Sequence, residues 1–560
     1  MKKMKRFFAL FLAMAMVLGM SMTTFAADIT KPAEGDKDWV TITGITPDQA
    51  TFRAYQIIKP DFKSGVGFSG YKWVDGYNGG NAIEIVADNS TTEEDESKVN
   101  GLTNIVGLNS TNINTWAKNP VGTPEVFENV DGITMKATTN GTQLYLGVGT
   151  WMILVTPKTN VDVVYNPMVA SVYYVSETST NGGTVDGDGQ WKLETSDAYV
   201  KSTDLTGEND KQVVELQDGE YTAAEAGAAV GTKLTYQLTG LIPSYGPEYF
   251  ADNAEVVYRL KDRIVNGLEY DESSVQVFVG TNSEKLTVDT DYTLTWTKKG
   301  NEPATGFSIQ LTKSYLEKVA TKLESERKIK VIYNAEITTN AVSEIAENKF
   351  GIDFTREPGV VDTATPDNET TAYSFTASIN GIIKKTNGED LLPGATFTLY
   401  GDADKTEVVG TDKTDDIVST DAINETGNVQ FKGLEFGKTY YLQETEAPQG
   451  YSINNTVYEI TCNYPEGFDP KGGKAELTNY NVTIVNTSLS ENDENYSKTI
   501  NVTYGGSDVV LDSAYEIVNT TLTALPSTGG IGTTIFTVGG CAIMILAAGM
   551  FFVSRRRAAK

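Results

Sequence analysis

The residue types available for chemistry narrow the field before any motif is read. Histidine is absent from the 560 residues, which removes Ser-His-Asp and Cys-His catalysis and the usual zinc sites. Of two cysteines, Cys541 lies in a long apolar stretch near the C-terminus. Cys462 is left alone, so no disulfide framework stabilises the fold. No constellation of carboxylates, metal ligands or activated serine stands out, so we expect no enzyme, no metal and no cofactor. The most informative segment is Leu525-Pro526-Ser527-Thr528-Gly529, followed by the apolar stretch Ile531 to Val553 and by Arg555, Arg556, Arg557 and Lys560. A stretch of that length passes the requirement of about 20 residues for a membrane helix, and the basic tail holds its end in the cytoplasm. Pro526 imposes an extended backbone and, lacking an N–H, cannot join the helix.

That order of motif, apolar span and positive tail resembles the LPxTG cell-wall sorting signal read by sortases. The resemblance implies cleavage between Thr528 and Gly529 and transfer of the Thr528 carbonyl to an amine. At the other end, Lys2, Lys3, Lys5 and Arg6 precede the apolar run Phe7 to Met20, and Thr24-Phe25-Ala26 offers small residues for cleavage. This is a secretion signal over residues 1–26. The protein is thus expected to be secreted and anchored to the wall of a Gram-positive-type cell.

Removing both ends takes away eight basic residues and no acidic ones, and the formal charge goes from −29 to −37. Such a surface excludes nucleic acid as a partner. Runs such as Val256 to Leu260, Tyr292 to Thr297 and Lys330 to Ile337 are rich in β-branched and aromatic residues, with Gly, Asn, Asp and Pro between them, the signature of strands and turns. Helical periodicity is best at Thr312 to Arg327, where Leu316, Val319 and Leu323 recur. The acidic run Ser90 to Ser97 reads as a solvated loop and Thr363 to Thr371 as a linker. We expect an all-β chain, an elongated tandem array of Ig-like or Cna-type β-sandwiches. Its domains are expected at 28–200, 202–370 and 371–523, ahead of the sorting signal at 525–560.

In the third domain, Ile383-Lys384-Lys385-Thr386 leads to Leu392-Pro393-Gly394-Ala395-Thr396-Phe397, and later to Gln443-Glu444-Thr445-Glu446-Ala447-Pro448-Gln449-Gly450-Tyr451. This resembles the Cna protein B-type domain, whose members form an internal isopeptide bond. The resemblance implies Lys384 as the amine and Glu444 as the carboxyl. Both Asn486 and Asn519 close a strand-like Ile-Val-Asn-Thr segment; the resemblance, in which the last strand runs directly into the sorting signal, favours Asn519 as the acceptor, with Asn486 as the alternative. The chemistry has its own rationale. Burial disfavours charge, so a core lysine tends to become a neutral nucleophile and a nearby carboxyl tends to keep its proton. An ordinary buried Lys–Glu ion pair is the competing reading.

The second domain, with Asn209-Asp210-Lys211-Gln212-Val213-Val214, Leu260-Lys261-Asp262-Arg263 and Asn348-Lys349-Phe350-Gly351, is similar to the fimbrial isopeptide-forming domain of Gram-positive backbone pilins. That implies Lys211 as nucleophile, Asp262 as proton relay and Asn348 as acceptor. Just before it, Trp191 to Lys201 looks like the pilin motif, whose lysine attacks the sortase-bound threonine of the next subunit; Lys201 is then the nucleophile. Val200 and Ser202 replace the usual proline and asparagine. Lys158, in Pro157-Lys158-Thr159-Asn160, is the second choice.

Together these segments imply a structural subunit of a covalent surface pilus, a fimbrium. Its expected partners are pilus-type and housekeeping sortases, identical subunits, peptidoglycan, and minor pilins or a surface ligand. The rival reading is a wall-anchored adhesin or minor pilin, in which Phe68, Tyr71, Trp73 and Tyr77 of the first domain contact a ligand.

Overall fold

The structure, a computed structural model of the chain, describes residues 27–29, 32–65, 67–80, 105, 107–158, 162–176, 191–251, 254–357, 360–362, 369–387, 390–409, 421–422, 428–505, 514–521 and 531–557. The secretion signal, the acidic run 90–97, residues 363–368 of the expected linker, Lys560 and the Leu525–Gly529 motif lie outside these. The described residues are mainly strand, and the chain folds into β-sheets as expected. Spatially it divides into two units, one of residues 1–226, 231–375 and 469–476, the other of 227–230, 376–468 and 477–560.

In the first unit, a seven-stranded sheet runs Ala27–Ile29, Trp191–Ser196, Met168–Ser176, Gly149–Pro157, Ala50–Lys63, Gly67–Trp73, with Glu125–Phe127 also on Ala50–Lys63. It shares a core with the four-stranded sheet Ala198–Tyr199, Lys37–Thr43, Gly141–Gly147, Met135–Thr138 through Val40, Ile42, Phe52, Leu144, Ile153 and Trp191. The aromatics considered for ligand binding are used inside: Trp73 and Tyr77 are fully buried, while Phe68 and Tyr71 pack against the core. Tyr71 and Trp73, alternate residues of the strand Gly67–Trp73, share one of its faces.

The same unit holds a second pair of sheets. One runs Glu220–Ala223, Asp210–Gln217, Lys233–Leu241, Lys328–Ile337, Gln276–Val279, Glu284–Lys285, with Leu268–Tyr270 beside Lys328–Ile337. The other runs Tyr292–Thr297, Gly306–Leu311, Tyr258–Ile264, Ala346–Glu357, Val360–Asp362, with Thr370–Ser374 beside Ala346–Glu357. Thr370 and Thr371 therefore belong to a sheet, not to a linker; they pair with Phe350 and Lys349. The helix is also shorter than its periodicity suggests. It spans Lys313–Val319, capped by the Thr312 hydroxyl that accepts from the Tyr315 N–H. Leu323 is exposed. The buried Arg327 guanidinium ties the following segment down by donating to the carbonyls of Ile242 and Lys322.

The second unit pairs a three-stranded sheet, Asn428–Leu434, Ala377–Thr386, Tyr515–Asn519, with a six-stranded one, Asp421–Ala422, Thr396–Tyr400, Thr439–Glu446, Val457–Asn463, Asn479–Asn486, Ser497–Thr503. Ile383, Phe397, Leu442, Ile460, Ile484 and Ile517 are buried in it. The chain ends in the helix Ile531–Arg557, of which Phe536–Arg557, with mean hydropathy 2.2, is long and apolar enough to cross a membrane.

Candidate functional site: two buried lysine–carboxyl–asparagine clusters and one exposed lysine

Strand alternation puts polar groups where hydrophobes belong. In Thr439–Glu446, inward positions are held by Tyr440, Leu442 and Glu444. In Tyr515–Asn519 they are Tyr515, Ile517 and Asn519. The first and last strands of this sandwich pair in parallel, Lys384 opposite Ile517 and Thr386 opposite Asn519, and this brings three distant residues together. Lys384 Nζ lies 3.1 Å from Glu444 Oε2 and 2.5 Å from Asn519 Oδ1, and Asn519 Nδ2 donates to Glu444 Oε1 at 2.8 Å. The Asn454 N–H also donates to Glu444 Oε2. All three side chains are buried. Asn486 is elsewhere: it ends Asn479–Asn486, and its side chain accepts from Ser488. Burial lowers the Lys384 pKa, and Glu444 works against that by favouring the ammonium.

The second cluster follows the same logic across two facing sheets. Lys211 and Val213 point inward from Asp210–Gln217, and Tyr258, Leu260 and Asp262 from Tyr258–Ile264. Asn348 is opposite Ile264 in the neighbouring strand. Lys211 Nζ pairs with Asp262 Oδ2. Asp262 Oδ1 accepts from the hydroxyls of Tyr270, at 2.7 Å, and Tyr333, at 3.0 Å, while Asn348 Nδ2 donates to the Tyr333 oxygen at 2.7 Å. Asn348 Oδ1 is buried without a hydrogen-bond partner, an arrangement costing about 1–3 kcal/mol. Burial pushes the Lys211 amine down to about 8 against the opposing pull of Asp262. Sequence reasoning missed Tyr270 and Tyr333; their inward phase in Leu268–Tyr270 and Lys328–Ile337 was the available signal.

Each cluster gathers an amine, a carboxyl and an asparagine amide into one buried hydrogen-bonded network, directly in the case of Lys384 and Asn519 and through Asp262 and Tyr333 in the case of Lys211 and Asn348. Joining the lysine to the asparagine would have a neutral Nζ attack the amide carbon, the new C–N bond forming as the bond to Nδ2 breaks and the carboxyl carrying a proton from Nζ to the departing nitrogen. Ammonia would be the leaving group, with no oxidant or cofactor in the balance.

The two remaining candidate lysines differ in access. Lys201 is exposed. It sits where the chain passes from Ala198–Tyr199, paired in parallel with Ile42 and Thr43, to Ser202–Asp204, paired with Val163–Tyr165. The Val200 N–H donates to the Thr43 carbonyl and the Lys201 carbonyl accepts from the Asn166 N–H. Residue 200 thus uses an N–H that proline lacks. Lys158 is partly buried, and its ammonium donates to the carbonyls of Pro47, at 2.7 Å, and Glu128, at 3.1 Å.

Residues 380–469 match the prealbumin-like fold domain SpaA, and residues 517–560 match the LPXTG cell wall anchor motif. The trypsin-resistant surface T6 protein of Streptococcus pyogenes serotype M6 is 27% identical over 376 residues, 59% of this chain. The chain spans 66% of that relative's length. Among solved structures, the T6 backbone pilin of serotype M6 Streptococcus pyogenes is 16% identical, with 88% of this chain and 100% of that chain covered and a TM-score of 0.47. The full-length major pilin SpaD of Corynebacterium diphtheriae is also 16% identical, with 88% and 96% covered and a TM-score of 0.41. The chain is a cell-wall-anchored surface protein built of β-sandwiches, one of them prealbumin-like. More particularly, it is similar to the backbone pilins of Gram-positive bacteria.

Proposed function

We propose that this protein is the repeating shaft subunit of a covalent surface pilus and not an enzyme acting on an external substrate. A pilus-type sortase cleaves after Thr528 and passes its carbonyl to Lys201 of the next subunit, and a housekeeping sortase finally attaches the polymer to peptidoglycan. Minor pilins complete the fibre. The observation that carries this reading is the contrast among lysines. Lys201 is exposed on a backbone pinned on both flanks, as a bulky acyl-enzyme requires, whereas Lys211 and Lys384 are fully buried beside a carboxyl and an asparagine.

Three domains, 28–200, 202–370 and 371–523, serve this role, the last two each stapled by its own isopeptide bond. Tension entering at Lys201 reaches Lys211 along the chain, crosses to Asn348, runs to Lys384 and crosses to Asn519 close to Thr528. The long stretches between 211 and 348 and between 384 and 519 then bear no load.

Denaturing electrophoresis of wall material released by a muramidase tests the reading. A ladder to very high mass that survives boiling is expected; a single band near monomer size would replace the shaft with a wall-anchored monomer.

A further inference from the structure

The Lys211 strand has an incomplete edge. Its hairpin partner Glu220–Ala223 pairs with Val214 to Gln217, and the Ala224 N–H still reaches the Val213 carbonyl. Nearer the start of the strand, where Lys211 sits, the place of that partner is taken by residues 469–476, more than 250 positions later in the chain. The Val213 N–H donates to the Gly472 carbonyl, the Gly472 N–H to the Ala224 carbonyl and the Ala226 N–H to the Pro470 carbonyl. The Tyr373 N–H donates to the Gly473 carbonyl at 2.8 Å. Lys474 Nζ donates to the carbonyl of Lys211 itself at 2.7 Å and pairs with Asp210. The fit is close: a Cβ on Gly473, at φ +66°, would lie 2.3 Å from the Tyr373 oxygen.

Without this strap, the start of the Lys211 strand is an edge held only by Lys233–Leu241. Strand ends with one neighbour open locally far more readily than paired ones. Opening there hydrates the amine, which favours its ammonium form, and spoils its aim at Asn348. We propose that the strap must be seated before Lys211 and Asn348 can be joined, with Lys474 as a positioning residue. This rests on the cross-linking reading above and adds an order to it: the second sandwich closes covalently only after chain belonging to the third has been made and docked. The strap contributes no reactant, and ammonia remains the leaving group.

The test is cell-free synthesis of the full chain, sampled over time by intact mass and by mapping of cross-linked peptides. The wild-type chain is expected to lose two ammonia molecules; loss of none would overturn the cross-linking reading itself, independently of the strap. Gly473→Val is expected to lose only one, keeping the Lys384–Asn519 link and lacking Lys211–Asn348. Both links at the wild-type rate in that variant would overturn the proposal. Should Gly473→Val lose both links through misfolding, the milder pair decides. Lys474→Ala should form the Lys211–Asn348 link more slowly than wild type, and Lys474→Arg should restore the rate; equal rates in all three would overturn the strap's role.

Discussion

Lys384 Nζ and Asn519 Oδ1 lie 2.5 Å apart although 135 residues separate them in the chain. Parallel pairing of the first and last strands of the sandwich creates this proximity, and a covalent link here closes nearly the whole domain into one loop. By the chain-entropy estimate, closing a loop of more than 100 residues contributes about 5 kcal/mol. Asn519→Ala should therefore retain one ammonia in the intact mass and lower the unfolding free energy of this domain by about that amount. Asn486→Ala should leave both the number of ammonia molecules lost and the link unchanged.

In the second cluster, Tyr333 touches both Asp262 and Asn348 through one hydroxyl. Asp262→Ala removes the only carboxylate hydrogen-bonded to Lys211 among the described residues and should abolish the link. Tyr333→Phe leaves the carboxylate in place but takes away one of its two tyrosine donors. It should slow the link about tenfold, the factor corresponding to one hydrogen bond of about 1.4 kcal/mol. Time-resolved intact mass separates the two outcomes.

How much of this was legible beforehand varied with the range of the interaction. Glu444 could be read because strand alternation places it inward with Tyr440 and Leu442, a local property. The choice between Asn519 and Asn486 could not be read in that way, since both close a strand with the same Ile-Val-Asn-Thr letters. Parallel pairing with the Lys384 strand separates them, and pairing of distant strands leaves no local trace. The strap at 469–476 is illegible for the same reason. The helix expected at Thr312 to Arg327 failed differently: its periodicity is real as far as Val319, after which the buried Arg327 guanidinium imposes a tertiary constraint that outweighs helix propensity.

Polymerisation separates the two candidate acceptor lysines. Lys201→Ala should leave monomer on the wall, whereas Lys158→Ala should polymerise normally because the Lys158 ammonium is already engaged by two carbonyls. Val200→Pro brings the sequence closer to the pilin motif yet removes the N–H that binds the Thr43 carbonyl. It should cost the first sandwich about 1 kcal/mol in thermal or chemical unfolding. A ladder from Lys201→Ala would move the acceptor to another lysine.

The pH response should be dominated in one region by Glu248, which lies in the short turn Pro247–Phe250, buried together with Tyr249 and Phe250. Its Oε2 has no hydrogen-bond partner, and burial pushes the carboxyl up from 4.5 to about 8. The folded chain therefore holds a proton that the unfolded chain releases throughout that window. Stability contributed at this position is fully present below about pH 4.5, falls as the pH rises, and levels off above about pH 8. Glu248→Gln keeps the shape and removes the titration. In denaturant unfolding at about pH 5 and about pH 8, the wild-type loss between the two should exceed that of the variant by at least about 1.4 kcal/mol, the equivalent of one pH unit of the window. Equal losses in the two proteins would mean that Glu248 ionises in the folded state as easily as in the unfolded one.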